Sequence, residues 1–223
     1  MEERETQSMA SEVAEITLMT NSLGTSERAR PQDEALRSVL SRAALGDTSA
    51  FEDIVELYQK RVLSTAWRML GNREDARDAA QEVFIRTYKY IAGYKLDQDF
   101  AGWLYTITMN VCRDHLKKRG RADQFTSLDS ELEPGELDRL AGQTDVEAGA
   151  IRAQQQALVA RAIRTLTKKE RAAIVLRDIE GLPTDEVARI LGTTQTTVRS
   201  HISSARTKIK QFRDRVLKSG RQG

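Results

Sequence analysis

Leu182-Pro183-Thr184-Asp185-Glu186-Val187-Ala188-Arg189-Ile190-Leu191-Gly192-Thr193-Thr194-Gln195-Thr196-Thr197-Val198-Arg199-Ser200-His201-Ile202-Ser203-Ser204-Ala205-Arg206 is the stretch on which the fold turns. Pro183-Thr184 opens a short helix containing Val187, Ile190 and Leu191. Gly192 stops it, since glycine takes the left-handed cap conformation without a Cβ penalty. Thr193 is placed to cap a second, longer helix. There Val198, Ile202, Ala205, Ile209, Phe212 and Val216 follow at alternating steps of four and three, which makes one apolar stripe. The opposite face is left to Thr197, Arg199, Ser200, His201, Ser204 and Lys208. Helix, tight turn and basic helix have a physical reason to meet DNA. An α-helix fits the major groove, and polar residues near its N-terminus reach base edges. Thr196, Thr197, Arg199 and Ser200 stand where bases or phosphates would be met. Arg206, Lys208 and Lys210 reach only backbone or solvent, and His201 reads as solvent-facing or phosphate-contacting. A plain helical hairpin is the competing reading.

Upstream, Val159, Ile163 and Leu166 mark a helix, and Thr167-Lys168-Lys169-Glu170 is a capping box that starts the next, which Gly181 ends. Between Ala122 and Gly149 the periodicity disappears, while acids, Pro134 and three glycines accumulate. Earlier still, apolar residues recur at helical spacing through Phe51, Ile54, Val55, Tyr58, Val62, Ala66 and Met69, then Ala76, Ala80, Val83, Phe84 and Ile91, then Leu104, Ile107 and Val111. Gly71-Asn72 and Gly93 supply the breaks. The expected fold is all-α: two small helical domains joined by a flexible acidic linker. The expected boundaries are a flexible extension at 1–33, a first domain at 34–121, a linker at 122–150, a helix-turn-helix domain at 151–218 and a basic tail at 219–223.

Of 223 residues, 35 are Lys or Arg and 33 are Asp or Glu, and the net charge of +2 conceals a strong pattern. Residues 1–33 carry 7 acids and 3 bases, a net −4; residues 34–121 carry 12 and 15, a net +3. Residues 122–150 carry 8 and 1, a net −7, and residues 151–223 carry 6 and 16, a net +10. A local excess of that size attracts a polyanion. A solvated helical face with a basic tail would also account for it. No apolar run approaches the ~20 residues that cross a bilayer, and the acid-rich start does not resemble a secretory signal. A cytoplasmic protein without membrane insertion is expected. Cys112 is the only cysteine, and with His115 and His201 it offers no ligand set at metal spacing.

Phe100-Ala-Gly-Trp103-Leu-Tyr105-Thr-Ile-Thr-Met-Asn110-Val-Cys-Arg113-Asp-His-Leu-Lys117-Lys118-Arg119-Gly-Arg121 sets aromatics beside bases. Rings stack on exposed bases while cations hold phosphates, a combination that suits single-stranded DNA. Core packing is the competing role for Trp103 and Tyr105. The Asn110 amide is harder to place in a core, because once buried it needs partners, whereas exposed it can pair with a base edge. No phosphate-binding glycine loop or nucleophile–base–acid set is present, and Cys112 beside His115 reads as a small buried thiol. No catalytic activity and no cofactor are expected.

These residues resemble the extracytoplasmic-function (ECF) sigma factors of bacterial RNA polymerase, within the sigma-70 family. Four stretches carry the resemblance in order: Gly46-Asp47 to Phe51 with Tyr58 and Arg61-Val62; Asp75 to Phe84; Trp103-Leu104-Tyr105 to Asn110; and Leu182 to Arg206. The resemblance implies a promoter-specificity subunit of two helical domains, regions 2 and 4. Asp78, Gln81, Glu82 and Phe84 would bind the β′ clamp of the polymerase core, although Phe84 could instead be core. Trp103, Tyr105, Asn110, Arg113, Lys117 and Arg119 would recognise and help open the minus-ten element. One base would be captured outside the stack near Asn110, where an aromatic and amide pocket must offset the few kcal/mol of extrusion. Thr196, Thr197, Arg199, Ser200, His201 and Arg206 would read the minus-thirty-five element, with region 4 held on the β flap. An anti-sigma factor is a further partner of many relatives. The resemblance also threads the acidic linker through polymerase channels, where a solvated spacer is the simpler role. The sequence departs from the family at Thr196, where a Gly is usual, and at His201 and Ser204, where Arg is usual. Arg77 stands where an acid is common. A stand-alone helix-turn-helix regulator and a protein-binding adaptor are the competing functions.

Overall fold

The computed structural model describes residues 31–122 and 158–219, and every regular element in them is helical. All of the expected linker except Ala122, and most of the N-terminal extension, lie outside the described residues. The first domain consists of α1 (Pro31–Ala44), α2 (Thr48–Leu70), α3 (Arg73–Tyr90), a 3₁₀ turn (Ile91–Gly93) and α4 (Phe100–Ala122). α1 starts three residues ahead of the boundary expected from composition, at a proline whose fixed φ suits the first helical position.

Local chemistry explains the breaks. Asp47 caps α2 by accepting from the Ala50 amide at 3.2 Å. Gly71 closes it at φ 70°, and Asn72 at once opens α3 by accepting from Asp75 N–H at 3.0 Å. Two adjacent residues therefore form the whole corner between α2 and α3. Ile54, Val62, Val83, Leu104 and Val111 meet at the centre and are fully buried. Each aliphatic side chain so withdrawn from water contributes about 1.5–3 kcal/mol. Cys112 is buried too, and burial pushes its thiol up to about 12, so it is an inert packing group.

The second domain begins with α5 (158–164) and continues through α6 (Lys168–Ile174), α7 (Thr184–Leu191) and α8 (Gln195–Ser219). The capping box at Thr167 and Glu170 is formed in both directions. Gly192, at φ 63°, terminates α7 as expected. Two expectations need correction. The cap of α8 is Thr194, whose hydroxyl accepts from Thr197 N–H at 3.2 Å, and not Thr193. The helix from Lys168 does not run uniformly to Gly181: residues Val175–Ile179 form a π-helical turn.

The two domains pack against each other. One hydrophobic cluster runs from Leu40 and Ile54 through Leu104 to Leu176, Val187 and Val198. A smaller cluster of Leu166, Ile174, Val175 and Ala205 serves the second domain alone. At the seam α7 meets the start of α4, where Asp99 accepts from Gly102 N–H at 2.6 Å. The Glu186 carboxylate lies so close to Gly102 that a Cβ there would collide with it. Burial and the neighbouring Asp99 push Glu186 up to about 7.

Candidate nucleic-acid and polymerase-binding surfaces

On α4 the sequence-expected residues fall into three environments. Trp103 is half-buried against the rings of Tyr94 and Phe100, with centroids 5.1 and 5.6 Å away. Tyr105 is inside, at 1% exposure, and its hydroxyl donates to Glu180 of the second domain; burial and that carboxylate raise its pKa. Asn110, Arg113 and Lys117 are exposed, and Arg113 donates to Asn110 Oδ1 at 2.9 Å. Arg119 leans back toward Asp75 at 3.6 Å. The helix therefore offers solvent an edge of amide and cations, while Tyr105 is reached only once the second domain moves.

On α3, Asp78 and Gln81 are exposed and Glu82 is partly so. Glu82 accepts from Arg86 at 2.7 Å, and Arg86 also reaches Asp114 at 3.3 Å, tying α3 to α4 behind that edge. Phe84 packs against the core. Ile85 and Tyr88, at 56% and 51% exposure, extend the same exposed surface with apolar area that the polar motif did not reveal. Their signal was present as apolar residues standing beside the buried set of Ala80, Val83 and Thr87.

On α8 the apolar stripe faces inward as expected, with Val198, Ile202 and Ala205 buried and Ile209, Phe212 and Val216 partly so. Thr196, Arg199 and Ser200 are exposed near its N-terminus, and Thr197 and His201 are half-buried. Arg199 is steadied by Gln195 Oε1 at 3.3 Å. The next turns serve the fold. Ser204 donates to Glu170 at 2.5 Å, and Lys208 donates to the same carboxylate at 2.8 and 2.9 Å. Those bonds, Lys208 first and Ser204 next, pull Glu170 down to about 2. Arg206 forks onto the buried Asp178 with two 3.0 Å bonds. Arg206 and Lys208 thus brace α8 on the π-helical turn and on the start of α6, so the polar face expected opposite the stripe is free only in its first two turns. A cavity of about 620 Å³ separates the two edges; Arg113, Lys117, Lys168, Lys169, Thr197 and His201 contribute to its lining. Among the described residues no group of His, Cys, Asp and Glu is placed to hold a metal ion, and no helix is long and apolar enough to cross a membrane.

An exposed amide-and-cation edge on one helical domain and a helix-turn-helix on the other define a two-part DNA-binding subunit. The family model for Sigma-70 region 2 matches residues 54–122, and that for Sigma-70, region 4 matches residues 156–209. The RNA polymerase sigma-H factor of Pseudomonas aeruginosa is 32% identical over 190 residues, which is 84% of this chain and 96% of that protein. The ECF RNA polymerase sigma factor SigW of Bacillus subtilis is 31% identical over 185 residues, 80% of this chain and 97% of that protein. The solved complex of CnrH with the cytosolic domain of CnrY matches with a TM-score of 0.57 at 25% identity, covering 81% of this chain and 97% of that one. The sigma factor RpoE of Bartonella quintana, solved with the anti-sigma factor NepR, matches with a TM-score of 0.59 at 20% identity over 73% of this chain and 95% of that one, a likeness of fold. The chain belongs to the ECF sigma factors of the sigma-70 family, which initiate transcription as non-catalytic subunits of RNA polymerase. As a sigma factor it binds core polymerase and promoter DNA.

Proposed function

We propose that α3 and α4 divide the work of the first domain, and that the domains keep the boundaries expected from sequence except at the start of the first, which α1 moves to Pro31. Asp78, Gln81 and Glu82 on α3 contact the β′ clamp, with Phe84 holding that helix on the core. On α4, Asn110, Arg113 and Lys117 face the minus-ten element, Trp103 supports the pocket from behind, Arg119 flanks it, and Tyr105 joins once the second domain departs. Thr196, Thr197, Arg199 and Ser200 read the minus-thirty-five element in duplex form, with His201 beside them and Arg206 bracing the helix, while region 4 sits on the β flap. An anti-sigma factor that covers these surfaces is a further partner, as the solved pair of RpoE and NepR suggests by analogy.

The observation that carries this reading is the exposure of Asn110, Arg113 and Lys117 on one helix and of Thr196, Arg199 and Ser200 on another, while the apolar faces of both helices are buried. Exposed amides and cations of this kind meet bases and phosphates. The assignment is tested by replacing Asn110 and Arg199 with Ala separately and transcribing promoters that carry substitutions in either element. N110A should cost about tenfold in initiation and lose discrimination only at minus-ten positions. R199A should lose it only at minus-thirty-five positions, by about 1–3 kcal/mol per base contact. Equal loss at both elements would contradict the division.

A further inference from the structure

The seam between the domains converges on one side chain. Glu180 follows the π-helical turn, and its N–H bonds back to Val175 O at 2.9 Å, five residues earlier. The wider turn aims a carboxylate that is 5% exposed at the first domain. Thr65 Oγ1 donates to it at 2.7 Å, and the Tyr105 hydroxyl donates to its other oxygen. Arg61 Nε stands 3.5 Å away and Arg68 Nη1 3.7 Å away. Arg61 also reaches the Glu180 carbonyl at 3.4 Å.

All four donors belong to the first domain, and among the described residues neither arginine pairs with a carboxylate of that domain. Arg68 is held mostly inside at 18% exposure, and its Nη1 is buried with no hydrogen bond, only the ion pair. Two guanidinium groups and two hydroxyls aimed at one point are a receptor for an oxyanion. A domain built this way without an acid of its own is suited to an anion brought from elsewhere. Met109, Arg113 and Lys117 follow Tyr105 on α4 at four-residue steps, and all three line the cavity between the domains. At ~1.5 Å per residue, Arg113 lies about 12 Å along the helix from Tyr105, a reach of roughly two backbone phosphates of a single strand.

We propose that Arg61, Thr65, Arg68 and Tyr105 form a phosphate site for the separated promoter strand, which Glu180 fills in the closed chain as a stand-in for DNA. Departure of the second domain frees the site beside the α4 edge, which is already exposed in the closed chain. The proposal rests on the placement of the strand along α4, and its test keeps the two apart.

The test uses the full-length chain, a fluorescein-labelled dT20 strand and titrations over a range of salt, because a backbone phosphate contact needs no particular base. Glu180→Gln keeps the shape and removes the charge; it should bind dT20 at least tenfold more tightly than the unaltered chain. Adding Arg61→Gln to that variant should flatten the slope of log K against log salt by about 0.7, the value for one phosphate on a single strand. Adding Thr65→Val instead, which removes an uncharged donor, should lower affinity severalfold and leave the slope alone. Lys117→Ala in the same background reports on the α4 track by itself. If Lys117→Ala flattens the slope while Arg61→Gln does not, the phosphate site is wrong and the track stands. If neither does, both are wrong. If Arg61→Gln weakens binding to core polymerase and leaves dT20 binding intact, the site takes a polymerase carboxylate and the proposal fails.

Discussion

Glu170 shows how much one residue can coordinate. Its side chain caps α6 at the Thr167 amide and binds Ser204 and Lys208 of α8, fastening the start of α6 to α8. The same contacts explain why Ser204 stands where the family usually has Arg: the position is directed inward here, to an acceptor that is already shared. They also fix a pH dependence. The carboxyl titrates near 2 in the folded domain against 4.5 when free, so its contribution is complete above about 4.5 and is lost as pH falls toward 2. Thermal unfolding followed by circular dichroism should show the unaltered chain more stable than Glu170→Gln at pH 6, with the difference shrinking steadily between pH 4.5 and 2. A constant difference across that range would mean that the ionised form is not what α8 holds.

Among the elements, those governed by neighbours in sequence were the legible ones. The Gly71-Asn72 corner, the Thr167 capping box, the Gly192 stop and the stripe from Val198 to Val216 all follow from residues a few positions apart. The choice between Thr193 and Thr194 was not decidable from spacing, since two adjacent threonines offer the same hydroxyl. The π-helical turn has no residue signature, because its five-residue bond is a choice of backbone. The reading helix itself bears a prediction. With Arg206 and Lys208 engaged by Asp178 and Glu170, Arg199 is left as the one Lys or Arg in the first two turns of α8. His201→Arg should restore one contact and steepen the salt dependence of minus-thirty-five duplex binding by about 0.9. Unchanged salt slope and base preference would show that His201 does not face the DNA.

For the whole molecule, the charge map and the four motif stretches were enough to establish an all-helical, two-domain sigma factor. The union of the domains was hidden. Glu180 meets Tyr105 across 75 positions and Thr65 across 115, and such pairings leave no periodic trace in sequence. The resemblance implied a DNA contact for Tyr105, with core packing as the competing role, and in the closed chain the side chain is buried. One arrangement thus sets Arg113 and Lys117 of the first domain and Thr197 and His201 of the second around a single cavity, while Asn110, Thr196, Arg199 and Ser200 stay exposed outside it. The central claim is promoter selection by this chain in partnership with core. It is tested most directly by run-off transcription from a library of random promoter sequences, with bacterial core polymerase in the presence and absence of the protein. Discrete start sites that require both components, each preceded by two shared sequence elements, are the predicted result. Start sites indifferent to the protein, alongside selection of duplex sites by the protein alone, would contradict it.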